Sequence, residues 1–123
     1  MDIKFNDSKT FVNFSNHPSA AWSIEQLTAA CEYGNIVDLQ FPSVDPGLDK
    51  DDVMTLARAC VDEIEALNPV CVLCQGEFTL CFDIVNLLKK QGVKVVAATS
   101  ERNVEFDGDT KKIRFTFNRF REY

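Results

Sequence analysis

Strand-like and helix-like segments alternate along almost the whole chain, and this alternation is the feature that most constrains the fold. Short apolar or alternating runs predict strands, whereas longer runs with apolar residues three or four apart predict amphipathic helices. A βαβαβαβ order implies right-handed crossovers and a mainly parallel sheet, so we expect one α/β domain over residues 1–123 with a C-terminal antiparallel hairpin extension. The expected strands are 9–15, 36–41, 70–74 and 93–99, the helices 23–33, 49–67 and 78–91, and the hairpin strands 104–106 and 112–117.

Composition narrows the classes of ligand and the compartment. The net charge of −6 argues against long duplex DNA or RNA, because such binding needs many Lys and Arg contacts to phosphates. A compact ligand with a few phosphates stays possible, since helix N-termini and two or three arginines can hold it. No apolar run approaches the roughly 20 residues that cross a bilayer, and residues 1–10 lack the apolar centre of a signal peptide. We therefore expect a cytoplasmic protein that does not bind membranes.

Three polar segments directly follow apolar strands. Because ligands of open α/β sheets bind beyond the carboxyl ends of the strands, we expect these segments to meet at one edge of the sheet. Turns are needed there in any case, but a turn does not require His, Gln, Glu and Arg together. The candidate ligand-binding residues are Ser15, Asn16 and His17 in the first segment, Gln75, Gly76, Glu77 and Thr79 in the second, and Ser100 and Arg102 in the third.

Each candidate also has a purely structural interpretation. His17, the single histidine, precedes a proline and could simply cap a turn. Gly76 permits either a strand-to-helix turn or the close approach of a ligand, and Glu77 and Thr79 lie in the first helical turn. The stretch from Ser100 to Arg102 could form no more than a surface ion pair. These alternatives stay open at the level of sequence.

The cysteines and acidic residues predict no metal site. Cys71 and Cys74 resemble a metal-binding or redox motif, but residues three apart in a strand point to opposite faces. The five cysteines fall in predicted strands and helices, so we expect reduced, buried thiols. Asp49, Asp51 and Asp52 crowd a helix start, where the dipole favours carboxylates. The glycine patterns of dinucleotide-binding and P-loop sites are absent from the sequence.

The C-terminal stretch 111–121 interleaves basic and aromatic residues. This pattern can stack and neutralise nucleotides, but it is equally typical of an amphipathic edge strand. Its alternation breaks at Asn118 and Arg119, which indicates a bulge or the end of the strand. The interleaved residues are Arg114, Arg119 and Arg121 with Phe115, Phe117 and Phe120.

With these segments in view, the chain resembles the small standalone ring nucleases of type III CRISPR systems, which are related to the CARF sensor domain. Three features carry the resemblance over nearly the whole chain. They are the first strand ending at 14–18 (FSNHP), the junction at 75–79 (QGEFT), and the short strand ending at 99–102 (TSER). The resemblance implies a Rossmann-like fold and a homodimer that holds a cyclic oligoadenylate, often the tetramer, across its two-fold axis.

The resemblance also implies a chemistry. Such proteins cleave the ring without a metal or other cofactor, by attack of a ribose 2′-hydroxyl on the adjacent phosphate. The products are linear and end in 2′,3′-cyclic phosphates. On this sequence, His17 and Arg102 would be the catalytic residues. The remaining candidates would bind the ligand: Ser15, Asn16, Gln75, Gly76, Glu77, Thr79 and Ser100.

Two other functions remain compatible with the same sequence. One is a non-catalytic sensor that binds the messenger and signals its presence to a partner. The other is an unrelated α/β domain that binds a small nucleotide or sugar phosphate.

Overall fold

The structure of the protein is a computed structural model that describes residues 9–123. The prediction about the polar N-terminus falls mainly on residues 1–8, which lie outside this part. A short 3₁₀ helix, Ser19–Ala21, lies between the first strand and the first α-helix. The main elements are β1 (Thr10–Ser15), α1 (Ile24–Cys31), β2 (Asn35–Gln40), α2 (Lys50–Glu65), β3 (Cys71–Cys74), α3 (Phe78–Lys90), β4 (Lys94–Asp107) and β5 (Thr110–Glu122).

The strands form one five-stranded sheet in the order β2-β1-β3-β4-β5. The first four strands are parallel, and β5 is antiparallel to β4. The expectation of a mainly parallel α/β sheet with a C-terminal antiparallel hairpin is confirmed. The three predicted helices are recovered with ends that agree within two residues.

Local capping chemistry explains where the first two helices begin. The Ser23 hydroxyl accepts a hydrogen bond from the Gln26 backbone N–H at 3.2 Å. Asp49 and Asp52 form a reciprocal capping box, each carboxylate accepting from the other residue's backbone N–H. These bonds satisfy amide groups that have no partner inside the helix. Two members of the acidic cluster, Asp49 and Asp52, therefore serve to start α2.

The sheet carries a hydrophobic core on each face. Helices α2 and α3 cover one face, where Val12, Phe14 and Cys74 pack among their apolar side chains. Helix α1 covers the other face over Phe11 and Cys71. The two cysteines of the Cys71-x-x-Cys74 motif thus belong to different cores, as the strand geometry predicts. All five cysteines are free, and Cys31 differs from the expectation because it is exposed.

The fourth strand is longer than predicted. The sequence indicated a strand ending near residue 99 and a separate strand at 104–106, but β4 runs without interruption to Asp107. It continues because β5 pairs with it up to the tight turn, where Asp107 is opposite Thr110 and Gly108 has a φ of 62°. Ser100 and Arg102 therefore lie within a strand. The predicted irregularity near Asn118 is confirmed, since the register shifts between Thr99 and Ser100.

Within residues 9–123, no helix combines the length and the apolar character needed to cross a membrane.

Gly34 provides a test of the tight junction between α1 and β2. A Cβ at this position would lie 2.6 Å from the Lys9 carbonyl oxygen and 2.9 Å from the Thr10 nitrogen. That oxygen accepts the Asn35 N–H of the β1–β2 ladder, so neither strand can move freely. We expect Gly34→Ala to lower the free energy of unfolding by about 1–3 kcal/mol in urea titrations.

Gly47→Ala is the matched control, because its nearest neighbour would be a side-chain oxygen, Asp45 Oδ1, at 3.3 Å. Equal losses of stability in the two variants would contradict this account of Gly34.

Candidate functional site

A crevice forms where the chain leaves β1 and β3 in opposite directions. After β1 the chain passes to α1 on one face, whereas after β3 it passes to α3 on the other face. The two strands are adjacent in the sheet. Their diverging connections leave a gap at the carboxyl edge, which is the usual place for ligands in open α/β sheets.

A pocket with a volume of about 540 Å³ occupies this place, on the α1 face. One wall is the segment that leads into α1, another is the end of β3, and a third is the β4–β5 ribbon. Its principal lining residues are Ser15 and His17, then Trp22, Ser23 and Gln26 at the start of α1, then Gln75, and finally Ser100, Phe115 and Phe117.

The structure brings together one part of the predicted site and separates the rest. Ser15, His17, Gln75 and Ser100 all line the pocket, so each of the three polar segments contributes to it. The other five candidates are not among its lining residues: Asn16, Gly76, Glu77, Thr79 and Arg102.

A buried amide shapes the connection after β1. Asn13, only 1% exposed, donates from Nδ2 to the His17 carbonyl oxygen at 2.9 Å and to Asp38 Oδ1 at 3.0 Å. Its own oxygen accepts the Ser15 hydroxyl at 2.6 Å. The backbone at His17 is therefore anchored to the sheet. Sequence reasoning missed Asn13, although a polar residue between Val12 and Phe14 was the signal.

Asp38 and Trp22 complete this anchor. The second carboxylate oxygen of Asp38 accepts the backbone N–H and the hydroxyl of Ser19, at 3.1 and 3.0 Å. Trp22 Nε1 donates to the His17 carbonyl oxygen at 3.0 Å. The segment that carries His17 is thus held by contacts to its backbone, and its imidazole takes no part in those contacts.

Gln75 joins two strands where their ladder ends. The last paired residues of β3 and β4 are Leu73 and Val96. Beyond them, Gln75 Oε1 accepts the Ala98 backbone N–H at 3.0 Å. The backbone N–H of Gln75 donates to the Phe14 carbonyl oxygen at 3.2 Å. One side-chain oxygen therefore extends the sheet by one step. Gln75 combines this structural contact with its place in the pocket wall.

Asn16 and Glu77 line a different hollow, of about 480 Å³, on the other side of the Gly76 turn. Asn16 accepts a hydrogen bond from Gln40 Nε2 at 3.0 Å. Thr79 lines a third hollow between the starts of α2 and α3. Residues that were predicted to form a single site are therefore distributed over three separate hollows.

Gly76 is required by packing against Phe41. A Cβ at this position would lie 2.5 Å from two carbons of the Phe41 ring. That ring is 2% exposed and packs on Phe14 with the ring centroids 5.2 Å apart, so it has little room to move. The absence of a side chain at Gly76 therefore has a structural cause that does not involve a ligand.

Glu77 is the N-cap of α3. Its carboxylate accepts the Leu80 backbone N–H at 2.8 Å and the Thr79 hydroxyl at 2.7 Å. The Leu80 bond, helped by the Thr79 hydroxyl, holds the pKa of Glu77 below its usual value of 4.5. These bonds explain how a carboxylate is accommodated here without a counter-ion from Arg102.

Arg102 lies on the ribbon just beyond the pocket. Its partner across the ribbon is Phe115, and Ser100 is opposite Phe117. Because partners in an antiparallel pair share a face, as do alternate residues of one strand, Arg102 lies on the same face as Ser100. It is the cation of that face nearest to the lining residues along β4.

The lining residues combine neutral polar groups with aromatic rings. Aromatic side chains offer faces on which a base can stack. Ser23 and Gln26 bring the N-terminal end of α1 to the wall, where a helix favours negative charge. The pocket is thus suited to a ligand that has both planar rings and anionic groups.

A thiol cluster lies on the opposite face. Cys74 and Cys81 have their sulfurs 3.5 Å apart, and the Tyr123 hydroxyl donates to the Cys74 carbonyl oxygen at 2.7 Å. The hydrogen bond with Cys74 lowers the pKa of Cys81 to about 7, whereas Cys74 itself has a raised pKa. This cluster anchors Tyr123 against α3 and takes no part in the pocket.

The packing role of Gly76 gives a double-mutant prediction. We expect Gly76→Ala to lower the free energy of unfolding by about 1–3 kcal/mol, because the new methyl group overpacks the Phe41 ring. In Gly76→Ala/Phe41→Leu the loss should be smaller than the sum of the two single losses, since the smaller side chain relieves the clash. Additive losses would contradict the packing explanation.

The capping role of Glu77 gives a prediction about pH. A lowered folded-state pKa stabilises the fold fully above about pH 4.5, and the contribution is lost as pH falls through the folded-state value. We expect Glu77→Ala to cost about 1 kcal/mol at pH 7, with the difference from the parent chain shrinking in acid. Thermal unfolding between pH 3 and 7 measures this.

Glu25→Ala, in the first turn of α1, is the control for general loss of an acidic residue. If Glu77→Ala lowers the free energy of unfolding by the same amount at every pH, the loss does not come from the cap.

Comparison with known proteins gives a family and no function. No curated protein matches the chain. Residues 9–121 match the family model described as the uncharacterized protein MJ1673 family, and the chain therefore belongs to that family.

Proposed function

We propose that this chain is a Rossmann-like domain that binds a cyclic oligoadenylate and cleaves it, with the tetramer as the leading substrate. The observation that carries the proposal is one pocket that joins His17, Gln75 and Ser100 to aromatic walls at the carboxyl edge of the sheet. In the cell, which we take to be the cytoplasm of a prokaryote with a type III CRISPR system, this reaction would switch off the messenger's signal.

The size of the pocket suggests how such a ligand is held. A volume of 540 Å³ lies in the range of sites for compact ligands, and a ring of four nucleotides exceeds it. We therefore place one part of the ring in the pocket of one copy and another part in the pocket of a second copy. Phe115, Phe117 and Trp22 would stack on adenine, and the start of α1 would face a phosphate.

The proposed reaction needs no water and no metal. The ribose 2′-oxygen attacks the adjacent phosphorus, the bond from phosphorus to the 5′-oxygen breaks, and a 2′,3′-cyclic phosphate forms. The 2′-hydroxyl loses a proton and the departing 5′-oxygen gains one. The protein therefore has to align the hydroxyl, move protons and stabilise charge on the phosphorane.

His17 and Arg102 are the residues to which we assign these tasks. Histidine is the side chain that most often transfers protons in enzymes, and His17 lies on an anchored segment in the pocket wall. Arg102, one step beyond Ser100 on the same face, would stabilise the phosphorane charge. Gln75 and Ser100 would contact the ribose and the phosphate.

The decisive experiment incubates the protein with cyclic tetra- and hexa-adenylate in EDTA and separates the products by chromatography. We expect linear products with 2′,3′-cyclic phosphate ends. His17→Ala should lower the single-turnover rate by about 100-fold or more, as for loss of a general acid or base. Its melting temperature should stay close to that of the parent chain, because His17 is exposed.

Arg102→Ala has a matched control in Arg114→Ala. Arg114 pairs with Asn103, one position along the same ribbon and on its opposite face. We expect only Arg102→Ala to reduce cleavage substantially. Equal effects would indicate a general loss of positive charge rather than a placed cation.

Three other results would replace the proposal. Tight binding of the ring without turnover would select the sensor. Binding of AMP or a sugar phosphate, with no affinity for the cyclic oligomers, would select the unrelated phosphate-binding domain. If the protein neither binds nor cleaves any of these ligands, the proposed function is ruled out.

A further inference from the structure

Beyond the main sheet, β4 and β5 continue as a ribbon of two strands that we call the arm, residues 100–117. Every residue from 100 to 116 is exposed. Two paired strands on their own are marginally stable in water and usually need a third strand or a helix to cover them. The arm in one copy of the chain has no such cover among the described residues.

One face of the arm is apolar. Cross-strand pairing places Val104 opposite Ile113, and Phe106 opposite Lys111, on the face that also carries Phe115. Phe106 is 74% exposed and Phe115 is 71% exposed. This face of the arm carries two cations, Arg102 and Lys111. It carries no carboxylate, because Glu101, Glu105 and Asp107 alternate onto the opposite face.

A second exposed apolar surface lies at the starts of α2 and α3, which we call the α2–α3 patch. Phe78 is 89% exposed and Phe82, one helical turn later, is 66% exposed. Leu48, which is 37% exposed, continues this surface, and the hollow that it encloses, of about 570 Å³, is also lined by the buried Val53. Its charged residues are Asp49, Lys50 and Asp83, so carboxylates predominate.

We propose that the arm of one copy binds the α2–α3 patch of a second copy, reciprocally, in a two-fold dimer. The charges select this pairing. Two arms facing each other would bring four cations together without a carboxylate, and two patches would bring together Asp49 and Asp83 of both copies. The arm on the patch sets Lys111, which is opposite Phe106 near the tip of the arm, against those carboxylates and covers apolar surface on both sides.

The apolar area is sufficient for a specific contact. With roughly 150–250 Å² for each Phe, the exposed rings of Phe106, Phe78 and Phe82, together with the half-exposed side chains of Val104 and Ile113, present on the order of 600 Å². A reciprocal dimer has two such contacts and buries on the order of 1,200 Å², the lower limit of specific interfaces. A reciprocal arrangement also closes on itself, whereas a one-way arrangement would grow into filaments.

Two variants test the contact from its two sides. Phe106→Ser removes the aromatic ring from the arm, and Phe82→Ser removes one from the patch. Both side chains are exposed, so circular dichroism should show an intact fold. We expect the parent chain to be a dimer by light scattering and each variant to have a dissociation constant raised at least tenfold.

Mixing the two variants provides the sharpest result. A Phe106→Ser chain keeps its patch and a Phe82→Ser chain keeps its arm, so one intact contact can form between them. Native mass spectrometry of the mixture should show a mixed dimer at concentrations where each variant alone is monomeric. Ile24→Ser, which removes an exposed apolar side chain outside both surfaces, should leave the dimer unchanged.

Three outcomes would overturn the proposal. They are a monomeric parent chain at about 100 μM, a Phe82→Ser variant that dimerises as the parent does, and a mixture without mixed dimers. The second outcome would indicate that the arms bind each other. The test does not depend on cyclic oligoadenylate, so its failure and the failure of the proposed activity are distinguishable.

Discussion

The hydrogen bonds of Asn13 are the interaction on which the pocket depends. An amide buried in the centre of a parallel sheet must find partners, because an unpaired polar group there costs free energy. Asn13 finds them in Asp38 of the neighbouring strand and in the carbonyl of His17, which has already left the sheet. The requirement to satisfy one buried amide therefore determines the path of the chain beyond β1, and with it one wall of the pocket.

The central part of the fold could be predicted from the sequence for a simple physical reason. Residues 11–15 are all buried, with Phe11 in one core and Val12 and Phe14 in the other, and the helices that cover them show clear apolar periodicity. Patterns of this kind report burial directly. The sequence also marks where helices begin and end. Ser23 and Asp49 accept hydrogen bonds from amides that have no partner inside the helix, and Gly34 leaves no room for a side chain.

The extension of β4 could not be read from its own residues. Ser100, Glu101 and Asn103 are polar and resemble a loop, yet they form a strand because β5 supplies the hydrogen-bond partners. Gly76 and Glu77 show the same limit at the site. Whether Gly76 admits a ligand or a neighbouring ring depends on Phe41, which lies far away in the sequence, and the residue type is the same in both cases.

The pocket and the proposed contact between copies share one element. Near the sheet, the arm contributes Ser100, Phe115 and Phe117 to the pocket wall, and the same apolar face continues to Phe106 near its tip. A two-stranded ribbon exposed along its length loses conformational freedom when either end is covered. If docking of the tip orders the arm, a ligand that then binds at the base loses less conformational entropy. By linkage, a bound ligand favours docking of the tip to the same extent. Under both proposals, binding and dimer formation would therefore reinforce each other through a single hairpin, without a change in the rest of the sheet.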